Sequence, residues 1–201
     1  MFKHTNSLKV TCIQCSGTQH RVKTFLRKGQ RGFTLPELAI GIGVGLVLLA
    51  AALYGIKYFS KSKASNEIQV VTDLRSNVVS YGSRVGLFTA TNSTLAALVG
   101  QNFFPKTWVS GTTAAPVVTN QWGGQITVAV GTVTNTGDSL NFTSTGIADS
   151  ACSEISTSLD GVVAVMQING VQTKANGAVT DPTKVACAGD NNTIVYTLTN
   201  K

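Results

Sequence analysis

Leu38-Ala-Ile-Gly-Ile-Gly-Val-Gly-Leu-Val-Leu-Leu-Ala-Ala-Ala-Leu-Tyr-Gly-Ile56 is a run of 19 residues without a charge, bounded by Glu37 and Lys57. As a helix rising about 1.5 Å per residue it spans roughly 28 Å, close to the hydrocarbon core of a bilayer at about 30 Å. Ten large aliphatic residues lie within it, from Leu38, Ile40 and Ile42 through to Ile56. At roughly −0.3 to −0.6 kcal/mol each, they favour insertion by about 3–6 kcal/mol. Gly41, Gly43, Gly45 and Gly55 weaken such a helix in water, but lipid offers the backbone no alternative partner. Gly41 and Gly45 also have the small-xxx-small spacing that lets another helix approach closely.

Outward from this run the charge is uneven. The 201 residues carry 16 cations and nine acids, a formal net charge of +7. Residues 1–32 hold seven of the cations and no acid, so the rest of the chain is balanced at nine and nine. A basic balance spread over the whole chain points to nucleic acid. An excess confined to the residues before an apolar run instead fits the positive-inside rule and sets the N-terminus in the cytoplasm. Hydrophobic content of 43% with only 12% charged residues excludes a disordered polyelectrolyte. A plain signal anchor, or a cleaved secretory signal with a long leader, shares these features. Conventional cleavage fits poorly, because Ala50, Ala51 and Ala52 are followed by Leu53, Tyr54, Gly55 and Ile56 and the helical pattern then continues.

The junction of basic leader and apolar run reads Arg31-Gly32-Phe33-Thr34-Leu35-Pro36-Glu37-Leu38. It resembles the class III signal of type IV pilins and type II secretion pseudopilins. The resemblance implies that a membrane aspartic peptidase cuts after Gly32 on the cytoplasmic side and methylates the new terminus at Phe33. Glu37 is then the fifth residue of the product. Cutting there removes every unbalanced positive charge and leaves the apolar helix intact. A helix without its cytoplasmic anchor can leave the bilayer, and copies of itself, through residues such as Leu38, Ile40 and Ile42, supply another apolar environment. Burial at about 25 cal/mol per Å² holds such a bundle together.

Glu37 lies at the edge of the apolar run, where an unpaired carboxylate costs several kcal/mol. Two readings account for it. In one, Glu37 is a first-turn acid favoured by the helix macrodipole, beside a Pro36 suited to a helix start. In the other, implied by the resemblance, Glu37 neutralises the Phe33 ammonium of an adjacent subunit and fixes axial register.

Past Ile56, the residues Ile68, Val71, Val78, Val79, Gly82 and Val85 follow helical spacing, with Glu67, Asp73, Arg75, Asn77 and Arg84 at other positions. One helix from about Pro36 to about Val85 is expected, apolar all round in its first half and amphipathic in its second. Alternating β-rich runs at Gln125–Val130, Gly161–Ile168 and Thr193–Leu198, with a shorter one at Ser139–Thr143, predict a sheet to cover it. Asn169-Gly170 after a strand predicts a type I′ hairpin turn. Short helices are expected at Leu95–Leu98 and Ser150–Leu159. The fold class is α+β, a long N-terminal helix on an antiparallel sheet. The expected organisation is a removed leader over 1–32, a transmembrane and assembly half over 33–60, and an exported globular pilin domain over 61–201.

Cys152 and Cys187 lie in the exported part, where an oxidising compartment joins them; two buried free thiols are the alternative. The paired form resembles the disulfide-bounded C-terminal region of pilins. Asn120-Gln121-Trp122-Gly123-Gly124 resembles a segment of the type IVb pilins of the conjugative thin-pilus family. Trp122 reads better as a core anchor beside a turn than as a ligand site.

The only histidines, His4 and His20, are in the leader, so residues 33–201 cannot build a Ser-His-Asp or Cys-His centre. Cys12 and Cys15 with His20 form a weak metal or redox pattern that the leader takes with it. No enzyme activity, cofactor or metal is expected. The expected function is a structural pilus subunit serving adhesion, aggregation or conjugative contact. Its expected partners are other pilin subunits, the prepilin peptidase and methylase, the inner membrane and the pilus assembly machinery. Nucleic acid is not expected along the shaft, since phosphate contacts need clustered cations. A minor pilin, a pseudopilin, and a single-span membrane-anchored enzyme or binding protein remain the alternatives.

Overall fold

Helix α1 runs from Leu35 to Val85 in a computed structural model that describes residues 34–201, the side chains of 56 and 57 excepted. The expected cut between Gly32 and Phe33, together with Cys12 and Cys15, lies outside the described residues. The chain divides into two units, 1–43 and 44–201. In the first, the Leu38 N–H donates to the Thr34 carbonyl at 3.1 Å and starts the helix. Pro36 sits in that opening turn, where a missing N–H costs nothing, and Glu37 is the turn's acid.

In the second unit, α1 packs on the sheet through Ala64, Glu67, Val71, Leu74, Val78 and Tyr81, all buried. These residues advance by alternate steps of three and four, so they form one stripe on the helix. The expected stripe through Ile68, Val71, Val78, Val79, Gly82 and Val85 is partly corrected. Ile68 and Val79 are only half-buried, and Glu67, expected among the polar positions, is buried in the middle of the interface. Ala64, Leu74 and Tyr81 set the phase of the stripe, and that phase carries Glu67 inward. The helix ends where Gly86, at φ +77°, takes the left-handed conformation and donates to the Gly82 carbonyl at 2.8 Å.

The sheet has seven antiparallel strands: β1 (Val109–Gly111), β2 (Pro116–Thr119), β3 (Gln125–Thr132), β4 (Thr136–Ile147), β5 (Val165–Ile168), β6 (Val171–Lys174) and β7 (Asn192–Thr199). Their order is β1-β2-β3-β4-β7-β5-β6. Phe142 of β4 stands opposite Val128 of β3 on one side and Tyr196 of β7 on the other. Leu140, Phe142, Met166, Ile168, Ile194, Tyr196 and Leu198 are essentially solvent-free and fill the core. Two short helices, α2 (Leu95–Gly100) and α3 (Asp149–Ser158), close its ends through Leu98, Cys152 and Ile155.

The α+β architecture expected from the sequence is the one observed. The strand expected over Gly161–Ile168 begins only at Val165. Its first part is diverted because the Val162 and Val163 N–H groups both donate to the Leu159 carbonyl, at 2.9 and 3.1 Å, as the chain leaves α3. The Asn169-Gly170 turn has positive φ at both residues, 50° and 82°, as a type I′ turn requires. Strands β1 and β2 have no counterpart in the sequence reading; at three and four residues they are too short to show a period.

Candidate functional site

Among the described residues, nothing packs on the large apolar side chains from Leu38 to Leu53 of α1. Leu38, Ile40 and Ile42 are 54%, 68% and 57% exposed, and Leu46, Val47, Leu48, Leu49 and Leu53 are likewise open. Water does not tolerate such an array, so it marks a surface that lipid or protein covers. α1 is the one helix among the described residues long and apolar enough to cross a membrane. A Cβ built on Gly41, Gly43, Gly45 or Gly55 meets nothing within 4 Å, so these positions form flat sites for close helix approach. Glu37 is exposed in the first turn.

Below the apolar half, polar contacts tie the helix to the sheet. The Ser144 hydroxyl of β4 donates to Glu67 Oε1 at 3.0 Å. Asn120 Nδ2, from the turn before β3, donates to Ser144 Oγ at 2.9 Å and to the Thr145 carbonyl at 2.7 Å. Glu67 Oε2 and the Tyr196 hydroxyl are buried without a protein partner. Burial pushes the Glu67 carboxyl up to about 7, against a smaller downward pull from the Ser144 bond. Tyr196 is pushed well up by burial and then by the neighbouring Glu67 charge. Lower down, Arg75 donates to the Val162 carbonyl and Tyr81 Oη to the Asn92 carbonyl at 2.8 Å.

The Trp122-Gly123-Gly124 turn is organised by the same Asn120. Its Oδ1 accepts from the Trp122 and Gly124 N–H groups at 3.0 and 2.9 Å. A Cβ on Gly124 would fall 1.7 Å from the Thr145 carbonyl oxygen, so only glycine allows the approach. Trp122 is half-buried and packs against the core, as an anchor beside a turn should.

Cys152 of α3 and Cys187 are joined as a disulfide, closing a loop that contains β5 and β6. No three His, Cys, Asp or Glu side chains converge among the described residues.

Residues 27–53 match the family model for the prokaryotic N-terminal methylation motif, a span that includes Gly32, Phe33 and Glu37. Residues 61–199, well over half of the chain, match the model described as PilS N terminal. The chain belongs to the PilS family of type IV pilins. This pilin is similar to the type IV b pilin from Salmonella typhi in its crystal structure. The two are 23% identical over 66% of this chain and 97% of that one, with a TM-score of 0.51, so they share the fold. An NMR structure of the type IVb pilin PilS from Salmonella typhi is 25% identical over 67% of this chain and 96% of that one, with a TM-score of 0.44. No curated protein matches the chain. As a pilin it is a structural subunit and not an enzyme.

Glu37, Leu38, Ile40 and Ile42 thus fall together on one helix, and Cys152 and Cys187 pair as expected. In the sequence Glu67 reads as a polar helix position, Asn120 as part of the Trp122 segment and Tyr196 as part of a strand, and nothing there joins them to Ser144. The three-and-four stepping of Ala64, Val71, Leu74, Val78 and Tyr81 is the pattern that points to Glu67.

Proposed function

We propose that the chain is the precursor of a pilus subunit, cut between Gly32 and Phe33, methylated at Phe33 and polymerised through the apolar half of α1. The observation that carries this is the uncovered aliphatic surface from Leu38 to Leu53 on a helix whose lower half buries one stripe against the sheet. Before cutting, the seven cations of residues 1–32 hold the N-terminus on the cytoplasmic side and the helix spans the inner membrane. After cutting, the helix exchanges lipid for the helices of neighbouring subunits, and Glu37 meets the Phe33 ammonium of one of them. The prepilin peptidase and methylase and the inner-membrane assembly machinery are the partners of these steps. The filament then carries residues 61–201 on its outside, for adhesion, aggregation or mating contact.

N-terminal sequencing and mass analysis of sheared surface filaments test this. A product that starts at methylated Phe33 is expected. A product that keeps residues 1–32, or a chain never found in filaments, overturns it.

A further inference from the structure

We propose that a cleft at the top of the globular unit holds the headgroup of a zwitterionic aminophospholipid while the subunit is in the membrane. The proposal rests on the membrane-spanning reading of α1. The cleft, with a volume of 390 Å³, is lined by Phe59 and Lys63 of α1, Trp122, Ala148, Ser150 and Asp190. One wall is closed by the contact between Ser60 Oγ and Ser150 Oγ at 2.9 Å.

Depth selects the occupant. Phe59 and Lys63 lie three and seven residues beyond Ile56, the last residue of the apolar run. Along a helix this is about 5 and 10 Å beyond the hydrocarbon, so the Phe59 backbone lies within a headgroup layer roughly 5–8 Å thick and the Lys63 backbone just past it, within reach of a long side chain. The cleft therefore opens at headgroup level and continues the lipid-facing surface of the helix. Tyr54, Tyr58 and Phe59 are 78%, 76% and 70% exposed, the aromatic belt expected at that level.

Charge selects the chemistry. Lys63 and Asp190 line the same cleft, and neither takes part in an ion pair among the described residues. An isolated cation and an isolated anion on one recess complement a ligand that carries both signs. The lipid phosphate fits Lys63 and the ammonium fits Asp190, with the Trp122 and Phe59 rings beside them to receive the glycerol end and support the cation. Trp122 is not a loose side chain, because buried Asn120 fixes the backbone on both sides of it. A purely anionic lipid would satisfy Lys63 and be repelled by Asp190.

The test uses the full-length chain in nanodiscs of phosphatidylethanolamine mixed with phosphatidylglycerol, and of phosphatidylglycerol alone. Trp122 emission is taken as the difference between the unmodified protein and Trp122→Phe, which removes the contribution of Trp108. Quenching by a spin label on the headgroup is expected, stronger in the phosphatidylethanolamine discs and stronger than with a label deep in the acyl chains. Asp190→Asn should lose the preference between the two lipids, and Lys63→Gln should lose headgroup quenching in both, with helix insertion retained. No quenching of Trp122, or equal quenching in both lipids that Asp190→Asn leaves unchanged, overturns the proposal. A Trp122 change that appears only on filament formation also overturns it and assigns the cleft to a second subunit. Cleavage after Gly32 and filament yield are read separately, so failure of the pilin assembly reading is distinguishable from failure here.

Discussion

Glu67 and Ser144 are 77 positions apart in the chain, yet the Ser144 hydroxyl donates to Glu67 Oε1 at 3.0 Å inside the interface between helix α1 and strand β4. Glu67 is 1% exposed and its second oxygen has no protein partner. A carboxylate there is desolvated without a compensating cation, so the neutral acid is the form that fits.

Stability should therefore decline as pH rises. Glu67 in the folded protein titrates near 7, against 4.5 ordinarily. The folded state holds the proton more tightly than the unfolded one, so this contribution is complete below pH 4.5 and is lost as pH rises from 4.5 through 7. The loss amounts to about 3 kcal/mol. Glu67→Gln cannot ionise and should flatten that part of the profile. Denaturation midpoints of the soluble globular part across this pH range, compared between the two proteins, give the answer; identical slopes would dismiss the buried acid as the cause.

Glu37 makes a contrasting prediction, because it is exposed in the first turn of α1 and contributes nothing to the core. Glu37→Ala should leave folding, membrane insertion and cleavage after Gly32 unchanged and abolish filaments. Processing is followed by electrophoretic shift and filaments by shearing. Wild-type filament yield from this variant would rule out the pairing with Phe33.

The Cys152–Cys187 bond closes a loop across 35 positions. A loop of this size constrains the unfolded chain by roughly 3–4 kcal/mol. Reduction, or the double variant Cys152→Ser with Cys187→Ser, should lower the unfolding free energy by about that amount. Protection of β5 and β6 amides from hydrogen exchange should fall first, since both strands lie inside the loop. Equal midpoints with and without reductant would show that the loop is held by its packing alone.

Gly124→Ala places a methyl group 1.7 Å from the Thr145 carbonyl oxygen, a backbone atom that cannot swing aside. The expected cost is roughly 3 kcal/mol, with the Asn120 hydrogen bonds to Trp122 and Gly124 broken. Thermal melts and a red shift in Trp122 emission measure it. Gly41→Ala, by contrast, meets nothing in the isolated subunit and should leave its melting unchanged.

Much of this molecule is legible in its sequence. The run from Leu38 to Ile56 fixes a helix whatever its partners, because length and apolarity alone decide it. Strands β3, β5 and β7 are visible through Ile126, Met166, Ile168, Ile194 and Leu198, whose alternation survives in the core. Ser139–Thr143 was legible only as a fragment of the twelve-residue β4, because Thr136, Gly137, Ser144, Thr145 and Gly146 look like turn residues. Their pairing with β3 and β7 overrides local preference. Glu67 was misread for a similar reason. Charge is a good guide to exposure only when no buried hydroxyl stands opposite, and Ser144 comes from far along the chain. The run Asn120-Gln121-Trp122-Gly123-Gly124 is legible as a turn, but nothing in that string announces the four side-chain hydrogen bonds of its asparagine.

The position of β7 between β4 and β5 has a consequence for biogenesis. It is the latest of the seven strands to emerge during synthesis, yet it is the hinge-pin of the sheet: without it, β1–β4 and the β5–β6 hairpin have no common edge. The head therefore cannot reach its native form from its first six strands, and closure of the sheet waits for residues 192–199 to be made.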